Sequence, residues 1–138
     1  MKRFLCTLLV LCLVPLCVYA GELDEFNKYA VMFGVDAIDE SIGEDTGNNM
    51  IMFKTGTISI GKEPASLAVF GTGEPFFMYC MAAICSLEGQ DHFTGNCGML
   101  LSSYILCKNG EDQTRVTYGG HGFSMSTFND IYLFVVMK

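Results

Sequence analysis

The chain has 138 residues, about half of them apolar, and carries 15 acidic side chains against 8 basic ones for a net charge of −7. Beyond its N-terminus no two basic residues are adjacent, which argues against nucleic acid and anionic membrane surfaces as partners, since both are held by grouped Lys and Arg. The size suits one globular domain with its own core, and no linker, low-complexity tract or repeat interrupts it.

The first twenty residues read as a cleavable secretory signal. Lys2 and Arg3 form a positive start, Phe4 to Leu16 an apolar stretch, and Val18-Tyr19-Ala20 a cleavage site that leaves Gly21 as the mature N-terminus. Pro15 sits in a run too short to span a bilayer, and the Pro15-Leu16 pair before Cys17 departs from the small residues a lipoprotein signal carries. Removal of residues 1–20 leaves six basic side chains against fifteen acidic, a charge of −9 over 118 residues. The expected location is therefore extracytoplasmic, periplasmic or extracellular.

In the mature chain, Phe26, Tyr29, Ala30 and Phe33 fall at helical spacing and predict a helix over Glu22 to Phe33 that ends at Gly34. Asp36 to Asn49, with five acids and two glycines, reads as a polar loop. The period then becomes two. Met50 to Phe53, Thr57 to Ile60 and Leu67 to Phe70 predict an antiparallel meander, with turns at Thr55-Gly56 and Gly61 to Pro64. Phe76 to Leu87, opened by Pro75 and closed by Gly89, predicts a buried helix. Gln90 to Asn96 reads as a loop, and Cys97 to Lys108 as a second helix capped by Asn109-Gly110. Arg115 to Tyr118, Phe123 to Phe128 and Ile131 to Met137 predict three more strands, turning at Gly119-Gly120 and Asn129-Asp130.

This order, α-βββ-αα-βββ, implies an α+β fold: a two-layer sandwich in which an antiparallel sheet of five or six strands carries an N-terminal helix and a central helical hairpin. Residues 21–138 form the single domain.

Four cysteines remain after the signal, an even number in an oxidising compartment. They allow three pairings. A hairpin that turns near residues 91–93 sets Cys85 opposite Cys97 and Cys80 opposite Cys107, so the nested pair of bridges is the candidate framework, with space-filling by free thiols as the competing reading. Apart from Lys108, which follows Cys107, no basic side chain or His stands next to them to lower a thiol pKa.

No catalytic residue and no cofactor is assigned. His92 and His121 lie in loops, and two histidines without a ligand cluster fall short of a zinc site. Gly122 to Ser126 resembles a nucleophile elbow but ends in Ser where glycine is needed. Gly71-Thr72-Gly73 lacks the third glycine and the Lys of a phosphate loop. Asp36, Asp39, Glu40, Glu44 and Asp45 offer hard oxygen ligands without the spacing of a calcium loop.

Ile131 to Met137 is apolar at every position, whereas a strand with one wet face alternates. Either the N-terminal helix crosses to cover its second face, or Tyr132, Phe134 and Val136 form an open interaction face for a protein partner or a homodimer. The expected function is a non-enzymatic module that binds a protein or an envelope component. The alternative is a small secreted hydrolase built on a loop histidine.

Overall fold

The computed structural model describes residues 23–39, 43–45, 50–53, 58–62 and 65–138. The signal at 1–20, with Cys6, Cys12 and Cys17, and the expectations at Glu22, Glu40, Thr55-Gly56 and Glu63-Pro64 lie outside them.

Helix α1 occupies residues 23–32 and buries Leu23, Phe26, Tyr29 and Ala30 on one stripe. Gly34 follows at φ 81°, and the N–H groups of Gly34 and Val35 donate to the carbonyls of Val31 and Ala30. That pair of bonds satisfies carbonyls the helix would otherwise leave orphaned. Two side chains then hold the outgoing chain. Asn27 both donates to and accepts from the backbone of Ile38, at 2.8 and 2.7 Å, and the Tyr79 hydroxyl donates to the Asp36 carbonyl at 2.7 Å.

Four strands follow: β1 (Gly43–Asp45), β2 (Met50–Phe53), β3 (Ile58–Lys62) and β4 (Ala65–Gly71). Helices α2 (Gly73–Glu88) and α3 (Phe93–Lys108) come next, then β5 (Gln113–Val116), β6 (Gly122–Phe128) and β7 (Ile131–Met137). All strands pair antiparallel in one sheet of order β1-β2-β3-β4-β7-β6-β5. The class is α+β with an antiparallel sheet, as the element order implies. The strand number is not: among the described residues seven strands replace the expected five or six, because Gly43–Asp45, inside the expected polar loop, pairs with Met50–Phe53 through Gly43↔Phe53 and Asp45↔Ile51.

Helix α2 buries seven consecutive residues, Tyr79 to Cys85, so every side of its middle is covered, which matches its lack of polar residues. Helix α3 buries Asn96, Leu100, Ser103 and Cys107, one stripe at alternating steps of four and three. It begins four residues before the expected Cys97. Its end is closed as α1 is: Gly110 at φ 91° and Glu111 donate to the carbonyls of Cys107 and Leu106.

Ring contacts tie the helices to one face of the sheet. Phe76 of α2 and Tyr104 of α3 both pack on Tyr132, with centroids 5.5 and 4.7 Å away, while Phe123 and Phe134 meet across β6 and β7 at 5.4 Å. Helix α1 does not cross to the other face. Phe26 stacks on Tyr79 of α2 at 5.9 Å and Phe33 meets Phe93 of α3 at 5.6 Å, so α1 joins the other two helices.

Candidate functional site

Strand β7 is hydrogen-bonded to β4 on one side and to β6 on the other. Its side chains alternate between faces. Phe134 and Val136 are fully buried and Tyr132 packs beneath Phe76 and Tyr104. These three residues are therefore core, and the open face expected at Tyr132, Phe134 and Val136 is corrected: the phase of the strand points them at the helices.

The outer face belongs to the other half of β7. Leu133 and Val135 are half-buried there, Leu133 lies directly across from Phe70 and Val135 from Ala68, and Ile131 pairs with Phe128 at the hairpin end. Ile131 is 52 % exposed and Phe128 78 %. An apolar band thus runs from Phe128 and Ile131 across Leu133 and Phe70 to Val135. Asn129 and Asp130, both at positive φ, turn the hairpin in two residues and lift Phe128 and Ile131 to its rim.

On the opposite side of the molecule Glu88 ends α2. A carboxylate here meets the negative end of the helix dipole, so it needs compensation from elsewhere. Its side chain is only 2 % exposed. Oε1 accepts from the Thr117 hydroxyl and lies 2.9 Å from His121 Nδ1; Oε2 accepts from Asn96 Nδ2 at 2.8 Å and from the Gly119 N–H at 3.1 Å. Burial raises the Glu88 pKa, but the hydrogen bonds from Thr117, His121 and Asn96 and the attraction of His121 outweigh it and hold the carboxyl below its ordinary value. The ionised carboxylate only accepts, so Nδ1 of His121 carries a proton and donates.

The network continues into the β5–β6 connection. Asn96 Oδ1 accepts from the Tyr118 N–H at 2.9 Å, and Thr117 Oγ1 accepts from the His121 N–H at 2.9 Å. Gly119 passes so close that a Cβ on it would collide with the Glu88 carboxyl. His121 is thus an oriented residue, and its partner Glu88 was missed by sequence reading. The signal was present: Glu88 is the one charged residue between Phe76 and Gly89, placed where a helix disfavours an anion. A hydrolytic role for His121 would need a nucleophile. The Thr117 hydroxyl, which accepts from the His121 N–H, donates to Glu88 instead.

The remaining candidates separate. Cys80, Cys85, Cys97 and Cys107 stand as free thiols in this structure. Burial pushes the Cys80 thiol well up and Cys107 up, and burial with the charge of Glu88 takes Cys85 up to about 11, which disfavours the thiolate at each. His92 stands exposed at the start of α3 without capping it. Gly122 to Ser126 is strand, with Phe123 and Met125 inward, and Gly71-Thr72-Gly73 leads into α2 without a side-chain cap. Glu44 and Asp45 are in β1 and Asp36 and Asp39 are in the strap after α1. Among the described residues no group of three His, Cys, Asp or Glu could hold a metal ion, and no helix is long and apolar enough to cross a membrane. Comparison with protein-family models, with curated proteins and with solved structures finds no match for this chain.

Proposed function

We propose that this chain is an exported, non-enzymatic protein-binding module that meets its partner with the outer face of its sheet. The observation that carries the reading is the apolar band of Phe70, Leu133 and Val135, edged by exposed Phe128 and Ile131, on the face turned away from α2 and α3. Apolar surface of that kind marks contact sites. In this reading the helices form one layer and the sheet the other, a two-layer sandwich whose uncovered side is the working side. Export follows from the signal read in residues 1–20. The net negative charge favours a basic partner and speeds its encounter at low salt.

The test is capture from the secreted and envelope fraction by the purified protein, with Ile131→Lys and Phe128→Lys as controls. A partner held by the wild type and lost with both variants supports the reading. A partner held equally by folded variants overturns it. The second reading, a hydrolase, draws on the 2.9 Å contact between His121 and Glu88. It predicts a hydrolytic activity that His121→Ala abolishes and that the two rim variants leave intact.

A further inference from the structure

Gln113 and Arg115 of β5, and Thr117 just beyond it, point to the helix side of the sheet, as the pairing of Gln113 with Met125 and of Arg115 with Phe123, both inward on β6, requires. Gln113 and Thr117 are buried there and Arg115 is half-buried. A charge drawn away from water is ordinarily met by an opposite one. In this acidic chain Arg115 lacks that: among the described residues its hydrogen bonds go to Gln113 Oε1 alone, and no carboxylate pairs with it.

The neutral partner is itself fixed. Gln113 Nε2 donates to the carbonyls of Glu111 and Asp112 at 2.9 and 3.3 Å, which aims Oε1 at Arg115. Nε and Nη2 of Arg115 both donate to that oxygen, at 3.2 and 3.0 Å, so one edge of the guanidinium is held while the end-on edge, Nη1 with the second hydrogen of Nη2, stays free. Beside Arg115 a cavity of about 670 Å3 lies between α3 and the end of β5, bordered also by Gly95, Gly98, Met99, Thr117 and Tyr118. The wall opposite is fixed too. The Tyr118 ring rests on Gly95, where a Cβ would come within 3.0 Å of it, the Tyr118 N–H donates to Asn96, and Thr117 is bonded to Glu88. Gly98 leaves space, since a Cβ there would meet nothing within 4 Å.

We propose that this cavity binds a small organic monocarboxylate with a flat apolar body, its carboxylate on the free edge of Arg115 and its body against the Tyr118 ring and Met99. Charge and shape select that class. A planar carboxylate accepts two parallel N–H bonds from the end-on edge of one guanidinium. A phosphate dianion calls for more cations than the one this cavity carries, and the Glu88 carboxylate behind Thr117 opposes a second negative charge. The exposed ring of Tyr118 and the thioether of Met99 suit an aromatic group. The cavity lies on the helix side of the sheet, so this site goes beyond the function proposed for the outer face and does not depend on it.

The experiment is a titration of the isotope-labelled protein with benzoate, followed in backbone-amide and arginine side-chain NMR spectra. Saturable shifts are expected at Gly95, Gly98, Tyr118 and Arg115 Nε, with a Kd of about 1 mM for so small a ligand. Benzamide, its neutral analogue, binds about tenfold more weakly, and so does benzoate to Arg115→Gln. Gly98→Leu fills the cavity, keeps the charge and favours the helix, so this variant folds and no longer binds benzoate. Lys28→Gln, which removes an exposed cation on α1, and Ile131→Lys, on the outer face, leave the affinity unchanged. Absence of saturable shifts up to about 20 mM benzoate overturns the proposal. Equal binding of benzamide, or binding that survives in both folded Arg115→Gln and folded Gly98→Leu, overturns it as well. Inorganic phosphate that binds as tightly as benzoate makes this a site for any anion and equally overturns it. Because Ile131→Lys alters the outer face and spares the cavity, failure of one reading is distinguishable from failure of the other.

Discussion

Replacing Glu88 with Ala removes the acceptor for four donors at once, and the structure allows the cost to be apportioned. Asn96 and Thr117 are almost fully buried, so water does not replace the lost acceptor and each stranded group costs about 1–3 kcal/mol. Gly119 is exposed and His121 half-buried, and both rehydrate at little cost. Against this, loss of the anion relieves its repulsion from the α2 terminus, worth about 0.3–1 kcal/mol. The net expectation is about 3 kcal/mol of lost stability. Glu88→Gln should cost only about 1 kcal/mol, because its carbonyl can serve Asn96 and Gly119 while its amide donates to Thr117 Oγ1 and to His121 in the other tautomer. Urea unfolding at neutral pH measures both, as a midpoint that falls in the order wild type, Gln, Ala with the slope unchanged. Loss of less than about 0.5 kcal/mol in the Ala variant, within the range of an ordinary surface change, would refute the claim that this carboxylate anchors the loop.

Because the folded Glu88 pKa lies below its unfolded value of about 4.3, its stabilisation is complete above that pH and disappears as pH falls through the folded value. The stability gap between wild type and Glu88→Gln should therefore close on acidification; a constant gap down to the lowest pH at which the protein folds would contradict it. Gly119→Ala should cost about 1–3 kcal/mol through its clash with the Glu88 carboxyl, and much less in a Glu88→Ala background, a coupling that a double-mutant cycle reads directly. Asp130→Gly should raise stability by about 0.5–1 kcal/mol by relieving the positive φ of the hairpin turn, and a lowered urea midpoint would count against the two-residue turn. Alkylation of the native protein should label half-buried Cys97 first, with Cys80, Cys85 and Cys107 reacting only on unfolding. Recovery of fewer than these four thiols from non-reduced, unfolded protein would restore a disulfide reading.

Strands β2 and β7 were legible to the residue because apolar and β-branched residues begin and end abruptly there, at Met50, Phe53, Ile131 and Met137. The start of α3 was not. His92 makes no cap bond, and Gly95, Asn96 and Gly98 look like loop, yet Asn96 is there to bridge Glu88 and Tyr118 and Gly95 to let the Tyr118 ring approach. Strand β1 has the composition Gly-Glu-Asp and exists only because β2 offers it an edge. The phase of β7 was misread although the means to find it were present. A two-residue turn at Asn129-Asp130 forces Phe128 opposite Ile131, hence Met125 opposite Phe134 and Phe123 opposite Val136. Phe123 and Met125 alternate with Ser124 and Ser126, so the inward face of β6 was clear, and β7 had to follow it. The site residues Glu88, Asn96 and Thr117 lie on three different elements, with Thr117 29 positions from Glu88, and only the anion at the end of α2 announced them.

The strand order has a consequence for how the chain reaches this structure. Strands β1 to β4 form one meander and β5 to β7 another, each closed by local connections, and the two meet at a single seam where β4 pairs with β7 across roughly 60 intervening residues. Closing so long a loop costs about 2 kcal/mol more than closing a hairpin of a few residues. The seam is thus the slow, non-local step, and the folding rate should respond to Val69 and Phe134, which pair across it, far more than to the hairpin at Asn129. Helices α2 and α3 span the gap between the meanders, and their early collapse onto each other would shorten the search by holding the two half-sheets within reach.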